Sequence, residues 1–390
     1  LTCPNPSPPL HSMGWTAYHW GLAAMMMVTG SINTIVTRAA DKVMVKEHGE
    51  RIPFTHPFVQ AIAMFLGEAC CLLVYRIQLC TSKTENKPKQ LVGKKKFNPF
   101  ILMLPAACDM CATSTMYIGL GLTHASDFQM LRGAVVIFTG LASKCFLGRK
   151  LHFHHWLGML LVTAGTAIVG TDSLVCKTAS SGAKDPILGD LIIIFAQIIV
   201  ACQMVIEEKF IGGYNLPAMQ VVGLEGVFGF CMLTTVVVIM YFIPQPDVFK
   251  PLFDLRGSQY DPYGNATLAD CPHHGVTSDG DLKCYGGGNH FEDGISALSS
   301  IVSYPALTLY TLGTVVSIAF FNFSGVSITK HMSAAARMVL DSLRTIVIWA
   351  FSLGVKWQTF CWVELIGFAF LLAGSVVFNA LAPIPCYTYP

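Results

Sequence analysis

The sequence predicts an all-α polytopic membrane protein, and three observations support this prediction. Charged residues make up 12% of the 390 residues, about half of the ~25% that is usual for soluble proteins. Hydrophobic residues make up 53% and the mean hydropathy is +0.55, so one water-soluble core could not bury the apolar surface. The apolar residues also form stretches of about 20 residues, the length that crosses a bilayer as one helix. The same composition excludes disordered, collagen-like and coiled-coil proteins, and a net charge of only +2 indicates no nucleic-acid partner.

Ten apolar stretches of helical length follow one another along the chain, and none shows the alternating pattern of a barrel strand. Short turns are expected at 122–124, between the third and fourth stretches, and at 324–330, between the eighth and ninth. The first stretch is too long for the core of a signal peptide and no cleavage site follows it, so we expect it to remain as a helix. The predicted spans are 17–38, 57–79, 98–121, 125–147, 155–173, 188–210, 218–243, 302–323, 330–354 and 359–381.

The orientation follows from the charges of the loops, because cytosolic loops carry an excess of lysine and arginine. The loop between the second and third spans is rich in lysine, and Arg149 and Lys150 lie in the loop between the fourth and fifth, on the same side. The long loop at 244–300 lies on the opposite side and is acidic. It also contains a sequon for N-glycosylation at Asn265. These signals predict that both termini are cytosolic and that the long loop is lumenal.

Most of the 14 cysteines lie inside the spans, where they act as small apolar residues. Cys108 and Cys111 have the spacing of a redox motif, but they lie in the middle of an apolar span, so a packing role is expected. Cys271 and Cys284 share the lumenal loop and could form a disulfide. Cys271 and the two histidines that follow it could instead hold zinc. A convincing fourth ligand is lacking, so no metal is predicted.

The fifth and tenth spans share a glycine pattern that indicates an internal duplication. Gly158 and Gly165 have the same spacing as Gly367 and Gly374, and an alanine precedes the second glycine of each pair. Small residues at this spacing also let helices pack closely, which is the alternative explanation. Five spans per half would place the halves in opposite orientations, the inverted repeat typical of many secondary transporters.

The predicted domain organisation follows from the spans and the repeat. Residues 1–12 contain four prolines and no helical pattern, and the chain begins with Leu, so Met13 is a candidate natural start and residues 1–12 are a candidate non-native segment. The predicted parts are an N-terminal cytosolic segment at 1–16, a first five-helix repeat at 17–173, a lumenal linker at 174–187, a second repeat at 188–381 that includes the lumenal loop 244–300, and a cytosolic tail at 382–390.

Polar residues inside the spans are candidate functional residues, because a charge near the bilayer centre costs several kcal/mol. At about 100° per residue, Arg337, Asp341 and Arg344 fall on one face of the ninth span. Gln129 and Arg132 are neighbours on the fourth span. The candidates are Asn33, Glu68, Asp109, Tyr117, Gln129, Arg132, Glu225, Asn322, Arg337, Asp341 and Arg344, together with Gln197 and Gln203 of the sixth span.

Each of these charges could instead have a purely structural role. Asp341 could neutralise both arginines of its own helix, and Glu68 or Asp109 could pair with Arg132 and so pin two helices together. Glu207 and Glu208, at the predicted end of the sixth span, are expected to be anchors at the membrane interface.

The arginines favour a functional role, because they lie on the fourth and ninth spans, which are equivalent in the two halves. Guanidinium binds phosphate and carboxylate through two parallel hydrogen bonds, which lysine cannot do. We expect Arg132, Arg337 and Arg344 to line a central cavity and to hold an anionic solute.

No sequence motif of an enzyme or a nucleotide-driven pump was found. The sequence contains no P-loop, no HExxH, no G-x-S-x-G and no zinc ribbon. We therefore expect neither an enzyme nor a primary active transporter, and no cofactor.

Five stretches of the sequence carry a family resemblance, at 28–34, 64–68, 126–134, 201–210 and 337–345. They resemble solute carrier family 35, within the drug/metabolite transporter superfamily, and the resemblance extends over about 13–381. It implies an EamA-like fold of ten transmembrane helices in two inverted five-helix repeats, with both termini cytosolic. It also implies exchange of nucleotide sugars, often against nucleoside monophosphates, in Golgi or ER membranes.

The resemblance also implies lysosomal and mitochondrial placement, with a link to membrane potential and cell survival. Two features depart from the family. The lumenal loop is long and rich in glycine at 286–288, and the C-terminal tail is short, with no visible sorting signal.

We therefore expect a secondary transporter or exchanger of an organic anion, and the leading candidate for this anion is a nucleotide sugar or related nucleotide. Tyr117 and Gln129 would contact a base or sugar, and Asn33 or Asn322 would donate hydrogen bonds. Glu68, Asp109 or Glu225 would carry protons if transport is coupled. The expected partners are the solute, the lipid bilayer and a second copy of the chain.

Two alternatives stay open. The acids of the cavity could select a cationic or neutral drug-like solute. The chain could also be a membrane scaffold that regulates organelle integrity without transport.

Overall fold

The structure is a computed structural model that describes residues 16–47, 50–54, 56–81, 97–122, 131–170, 186–242, 274–276, 282–284, 292–356 and 360–379. These residues are mainly α-helical, which confirms the all-α part of the predicted fold class. The helices are α1 (Ala17–Asp41), α2 (Pro57–Thr81), α3 (Met103–Leu122), α4 (Val135–Leu147), α5 (Phe153–Gly170), α6 (Pro186–Tyr214), α7 (Ala218–Phe242), α8 (Gly294–Ser303), α9 (Pro305–His331), α10 (Ala334–Ser342), α11 (Arg344–Gly354) and α12 (Trp362–Phe378).

A short 3-10 helix (Pro99–Leu102), which leads directly into α3, and two antiparallel hairpins complete the described elements. In the first, β1 (Met44–Glu47) pairs with β2 (Glu50–Pro53) between α1 and α2. In the second, β3 (His274–Val276) pairs with β4 (Leu282–Cys284) in the long loop before α8, with His274 opposite Cys284.

Several helices have the length and composition of a membrane span. In the described part of the chain, six helices are long and apolar enough to cross a membrane: Ala17–Asp41, Pro57–Thr81, Pro99–Met116, Ile187–Tyr214, Ala218–Phe242 and Pro305–His331. The chain is therefore a multi-pass membrane protein. The predicted spans at 125–147, 155–173 and 359–381 overlap the shorter helices α4, α5 and α12. Residues 123–130, which include most of the turn predicted at 122–124, and the ends of these spans at 171–173, 359 and 380–381 lie outside the described residues.

The turn predicted at 324–330 is wrong, because α9 continues to His331. The polar residues of this segment fit inside the helix. The hydroxyl of Ser327 donates to the carbonyl oxygen of Phe323 at 2.7 Å, and that of Thr329 donates to the carbonyl oxygen of Gly325 at 3.1 Å. Such bonds satisfy a hydroxyl on the preceding turn of its own helix, so these residues do not end it.

The ninth predicted span is a helix in two parts. It begins after Ser333, whose hydroxyl accepts a hydrogen bond from the backbone N–H of Ala336 at 3.0 Å and so caps α10. Leu343 then separates α10 from α11, although its backbone keeps α-helical torsion angles. Arg344 is consequently the first residue of α11 and not part of the same regular helix as Arg337.

The loop predicted at 244–300 contains the start of an additional helix, α8. Asp293 caps it, because its carboxylate accepts a hydrogen bond from the backbone N–H of Ser296 at 2.9 Å. One face of α8 exposes Ile295, Leu298 and Val302. These residues recur at helical spacing, so they form an apolar stripe along α8.

The helices pack in four main pairs, α1 with α9, α2 with α7, α3 with α6 and α5 with α12. Glycine brings the backbones of α5 and α12 together. A Cβ atom added to Gly165 would lie 2.7 Å from the carbonyl oxygen of Gly367, and one added to Gly374 would lie 2.9 Å from the carbonyl oxygen of Gly158. The glycines that the sequence singled out therefore have a packing role.

Glycines also allow α2 to pack closely against two other helices. An added Cβ at Gly226 of α7 would lie 2.4 Å from the backbone nitrogen of Ala69. One at Gly67 would lie 2.2 Å from the carbonyl oxygen of Val315 on α9. These contacts hold α2 between α7 and α9, with Glu68 directed into the bundle.

Candidate functional site

A small polar cavity lies inside the bundle, where α2, α3, α6, α7, α9 and α10 meet. Its free volume is about 20 Å³, enough for about one or two water molecules. The cavity is therefore closed around its lining in this conformation. That lining consists of Phe65, Glu68, Ala106, Asp109, Gln203, Glu207, Val222, Glu225, Asn322, Val326 and Arg337.

Arg337 is the centre of a hydrogen-bonded chain that crosses the cavity. Its Nη1 donates to both carboxylate oxygens of Glu207, at 3.0 and 3.2 Å, and its Nη2 donates to Oδ1 of Asn322 at 3.2 Å. The amide of Asn322 donates in turn to Oε1 of Glu68 at 2.5 Å. The chain links α6, α10, α9 and α2, so a ligand that displaced one partner would act on all four helices.

Arg337 occupies this position because a glycine faces it. A Cβ atom added to Gly325 of α9 would lie 2.6 Å from Nε of Arg337. The guanidinium therefore packs directly on the backbone of α9, and a larger residue at Gly325 would displace it.

Two acceptor atoms in the cavity have no hydrogen-bond partner. Asp109 is hydrogen-bonded by the side chain of Gln203. However, Oε1 of Gln203 and Oε1 of Glu225 are buried without a partner, and so is the donor Nε of Arg337. Buried polar atoms that are unpaired are costly, and they are typical of places where a ligand or water binds.

The cavity is acidic. Four carboxyl groups line it, from Glu68, Asp109, Glu207 and Glu225, against the single guanidinium of Arg337. Glu207 is used in the ion pair with Arg337. Among the described residues, no lysine or arginine forms an ion pair with the other three acids.

Six of the candidate residues come together in this cavity: Glu68, Asp109, Gln203, Glu225, Asn322 and Arg337. Their grouping could not be read from the sequence, which placed them on six different spans. Glu207 was expected to be an interfacial anchor, and that expectation is wrong. It is only 1% exposed, and α6 continues beyond it to Tyr214. The apolar pair 210–211 after Lys209 was the signal that the helix had not yet ended.

The other two residues of the predicted stripe lie outside the cavity lining. Asp341 forms an ion pair with Arg344, with Oδ1 and Nε 3.3 Å apart, and the guanidinium of Arg344 lies over the ring of Phe321 at 5.1 Å. The expectation that Asp341 neutralises both arginines of the span is therefore right for Arg344 and wrong for Arg337. Arg337 extends from α10 towards α6, and its carboxylate partner there is Glu207.

The remaining predicted residues have other positions. Asn33 is buried between α1 and α9, where its Oδ1 accepts a hydrogen bond from Ser317 at 3.2 Å. Arg132 is partly buried just before α4, outside the cavity lining. Tyr117 lies on α3 and Cys284 in β4. Gln129, Asn265 and Cys271 lie outside the described residues.

A second cluster of charges joins the helices near the ends of α4, α6 and α9. Arg149 forms an ion pair with Glu208 and donates from Nη2 to the carbonyl oxygen of Met332 at 3.1 Å. The other carboxylate oxygen of Glu208 accepts a hydrogen bond from the backbone N–H of Ala334 at 2.8 Å. Glu208 was also expected to be an interfacial anchor. It is instead buried and stabilises the start of α10.

Comparison with known structures indicates the fold. A crystal structure with only 13% sequence identity superposes on 94% of this chain and 98% of its own, with a TM-score of 0.57. In sequence, the UDP-N-acetylglucosamine transporter of Rattus norvegicus is 26% identical over 40% of this chain and 47% of its own.

Two further comparisons concern the family. The EamA-like transporter family matches residues 22–171. Solute carrier family 35 member F6 of Homo sapiens is 42% identical over 95% of this chain and 91% of its own. The same protein of Rattus norvegicus is 42% identical over 95% and 90%. Because this similarity extends over nearly the whole length of both chains, the protein belongs to solute carrier family 35.

Proposed function

We propose that the protein is a secondary transporter that carries a small organic solute across an intracellular membrane by alternating access. The observation that carries the proposal is the closed polar cavity inside the bundle. Its lining comes from both predicted halves, with α2 and α3 from the first and α6, α7, α9 and α10 from the second. A site between two halves can open to either side when the halves rock against each other.

The packing of the helices supports two inverted repeats and the ten-span topology. In the proposed repeat, α1, α2, α3, α4 and α5 of the first half correspond in order to α6, α7, α9, the broken helix α10–α11, and α12 of the second half. Under this correspondence, the pair α1 with α9 becomes the pair α6 with α3 when the two halves are exchanged. The other main pairs, α2 with α7 and α5 with α12, each join two equivalent helices. The same pattern of pairs therefore results from either order of the halves.

Contacts between the halves lie at both ends of the bundle, as alternating access requires. On the predicted cytosolic side, Arg149 of the first half pairs with Glu208 of the second. On the predicted lumenal side, Nδ1 of His56 lies 3.0 Å from Oε1 of Glu292, and both side chains are buried. This conformation is therefore occluded, and opening to one side would separate the pair on that side.

The solute we propose first is a nucleotide sugar or related nucleotide. The similarity to UDP-N-acetylglucosamine transporters supports it, and Arg337 supplies a guanidinium that could bind phosphate. Arg132 and Arg344 remain proposed phosphate ligands for an opened state. A ligand of this size needs a site of several hundred Å³, so the cavity must widen and the phosphate must replace Glu207 on Arg337.

A cationic or neutral solute is the second candidate, and the excess of carboxyl groups favours it. Four acids surround one arginine that already has a carboxylate partner. An amine could pair with Glu68, Asp109 or Glu225 without breaking the ion pair of Arg337.

Melting of the purified protein in the presence of nucleotides, nucleotide sugars and organic cations distinguishes these solutes, because a ligand of the folded state raises the melting temperature. The double variant R337Q/E207Q removes the guanidinium without leaving a buried charge alone. The exposed Arg76 of α2, changed to Gln, is the matched control. A nucleotide-sugar shift that the double variant loses and R76Q keeps would support the first candidate. A shift with organic cations alone would support the second, and no shift with a folded sample would favour the scaffold role.

We also propose an organelle membrane, lysosomal, Golgi or ER, or mitochondrial, with both termini cytosolic and the loop 244–300 lumenal. Glycosylation at Asn265 and a disulfide between Cys271 and Cys284 belong to this proposal, because N-linked glycans are added on the lumenal side and disulfides persist in an oxidising compartment. A shift in gel mobility after glycosidase treatment, absent in N265Q, would test the sidedness.

A further inference from the structure

The position of Glu225 is determined by how α7 packs on α2. Gly226 allows the two backbones to approach, since an added Cβ there would lie 2.5 Å from Cβ of Glu68. The glycine contact therefore places the two carboxyl-bearing residues side by side. Glu225 is 9% exposed and its Oε1 is buried without a hydrogen-bond partner.

The charged groups around Glu225 do not balance. Glu68 of α2, Asp109 of α3, Glu207 of α6 and Arg337 of α10 act on it. Since Glu207 and Arg337 neutralise each other, three carboxyl groups remain without a cation. Three ionised carboxylates around one small cavity would repel one another, and the charges of Glu68 and Glu225, which are both buried, would each cost several kcal/mol. The closed cavity must therefore contain positive charge that the side chains do not supply.

The size and geometry of the cavity decide which cation fits. About 20 Å³ of free volume excludes an organic ammonium ion. In the described part of the chain, no group of three or more His, Cys, Asp or Glu side chains has a geometry that could hold a metal ion. A proton needs no volume. Once bound to a carboxylate, it supplies a hydroxyl donor to a cavity in which Oε1 of Gln203 is an acceptor without a donor.

We propose that Glu225, with Glu68 and Asp109, forms a proton-binding site, and that the protons bound when the cavity closes couple transport to a proton gradient. Each proton leaves a hydronium ion of the surrounding solution, where one O–H bond breaks and a water molecule remains, and it forms one O–H bond on a carboxylate oxygen, so nothing is oxidised or reduced. The binding itself stands on the geometry of the cavity, while the coupling rests on the proposed transport function.

Infrared spectroscopy of the full chain at neutral pH, in a detergent that contains no ester groups, tests the binding, because a protonated carboxyl group has a carbonyl band that a carboxylate lacks. We expect this band in the wild-type protein and its reduction in E225Q. E68Q serves as a second variant if E225Q does not fold. The control is D190N on α6, which removes a carboxyl group that does not line the cavity and should leave the band unchanged. A wild-type spectrum without the band, or folded E225Q and E68Q samples that both keep it in full, would overturn the proposal.

A flux measurement separates the coupling from the transport function. Proteoliposomes with an internal pH dye are given radiolabelled UDP-N-acetylglucosamine or tetraethylammonium as probes. We expect uptake of one probe to move protons and to respond to an imposed pH gradient in the wild type, with the response lost in E225Q. An uptake rate that does not change with the imposed pH gradient would refute the proton coupling but would not contradict the transport proposal. If neither probe is taken up, the transport proposal is refuted. If the infrared band is nevertheless present, the proton-binding site still stands.

Discussion

The contact between α5 and α12 predicts that a glycine-to-alanine substitution lowers the stability of the folded protein at this contact and raises it at a glycine with open space around it. In Gly165→Ala, the new Cβ would lie 2.7 Å from the carbonyl oxygen of Gly367, far inside the 3.4 Å at which ordinary contact begins. The obstructing atoms belong to the backbone of α12, so no change of rotamer can relieve the overlap. Forcing the helices apart is overpacking, which costs about 1–3 kcal/mol.

Gly21→Ala is the matched control. Gly21 lies inside α1, and an added Cβ there would meet nothing within 4 Å. Alanine restricts the helix backbone more than glycine, so this variant should gain about 0.5–1 kcal/mol. The two substitutions are chemically identical, and only their surroundings differ.

The assay is thermal unfolding of the purified protein in detergent, followed by tryptophan fluorescence. We expect the melting temperature to fall for G165A and to rise or stay constant for G21A. If G165A melts with the wild type, or if both variants shift together, the close approach of α5 and α12 does not exist in the folded protein.

Three further predictions concern the charged clusters. Glu207→Ala leaves the guanidinium of Arg337 buried without its carboxylate, so it should lower the free energy of unfolding by about 3–5 kcal/mol. The double variant R337Q/E207Q should recover most of this loss. Equal melting temperatures of the single and double variants would contradict the ion pair. Gly325→Ala places a Cβ 2.6 Å from Nε of Arg337 and should weaken the ligand-induced thermal shift severalfold. Gly354→Ala, with no atom within 4 Å of its new Cβ, should leave that shift unchanged. Glu208→Ala removes the hydrogen bond to the backbone of Ala334 and should cost about 0.5–2 kcal/mol. Glu208→Gln keeps an oxygen acceptor for that bond and should cost less than Glu208→Ala. The reverse order in urea unfolding would refute the role of Glu208 at α10.

The sequence predicts the helices well where apolar length alone decides them. The bounds of α1, α2 and α7 agree with the predicted spans to within three residues. Prediction failed where polar residues sit inside a helix. Ser327 and Thr329 looked like a turn, yet their hydroxyls bond to carbonyl groups of α9. A local pattern of polar residues cannot distinguish these two outcomes.

The sequence predicted one grouping, that Arg132, Arg337 and Arg344 line a central cavity, and of these three only Arg337 lines it. The cost of a charge in the membrane singled out Glu68, Asp109 and Glu225 one by one, and the structure places all three beside Arg337 in the cavity lining. Their partners depend on how α6 and α10 approach each other. Glu207 was wrongly predicted to lie at the membrane interface, because the predicted span ended at 210 whereas α6 continues to Tyr214.

The two contacts between the halves differ in their access to water. Arg149 is 44% exposed in its pair with Glu208, whereas the side chains of His56 and Glu292 are 1% and 6% exposed. Dissolved salt screens an exposed pair far more than a buried one. Raising the ionic strength would therefore loosen the end of the bundle at Arg149 and leave the other end nearly unaffected. Under the proposed alternating access, the salt content of one compartment alone would then shift the balance between the inward-open and outward-open forms, without any change in the solute or in the membrane potential.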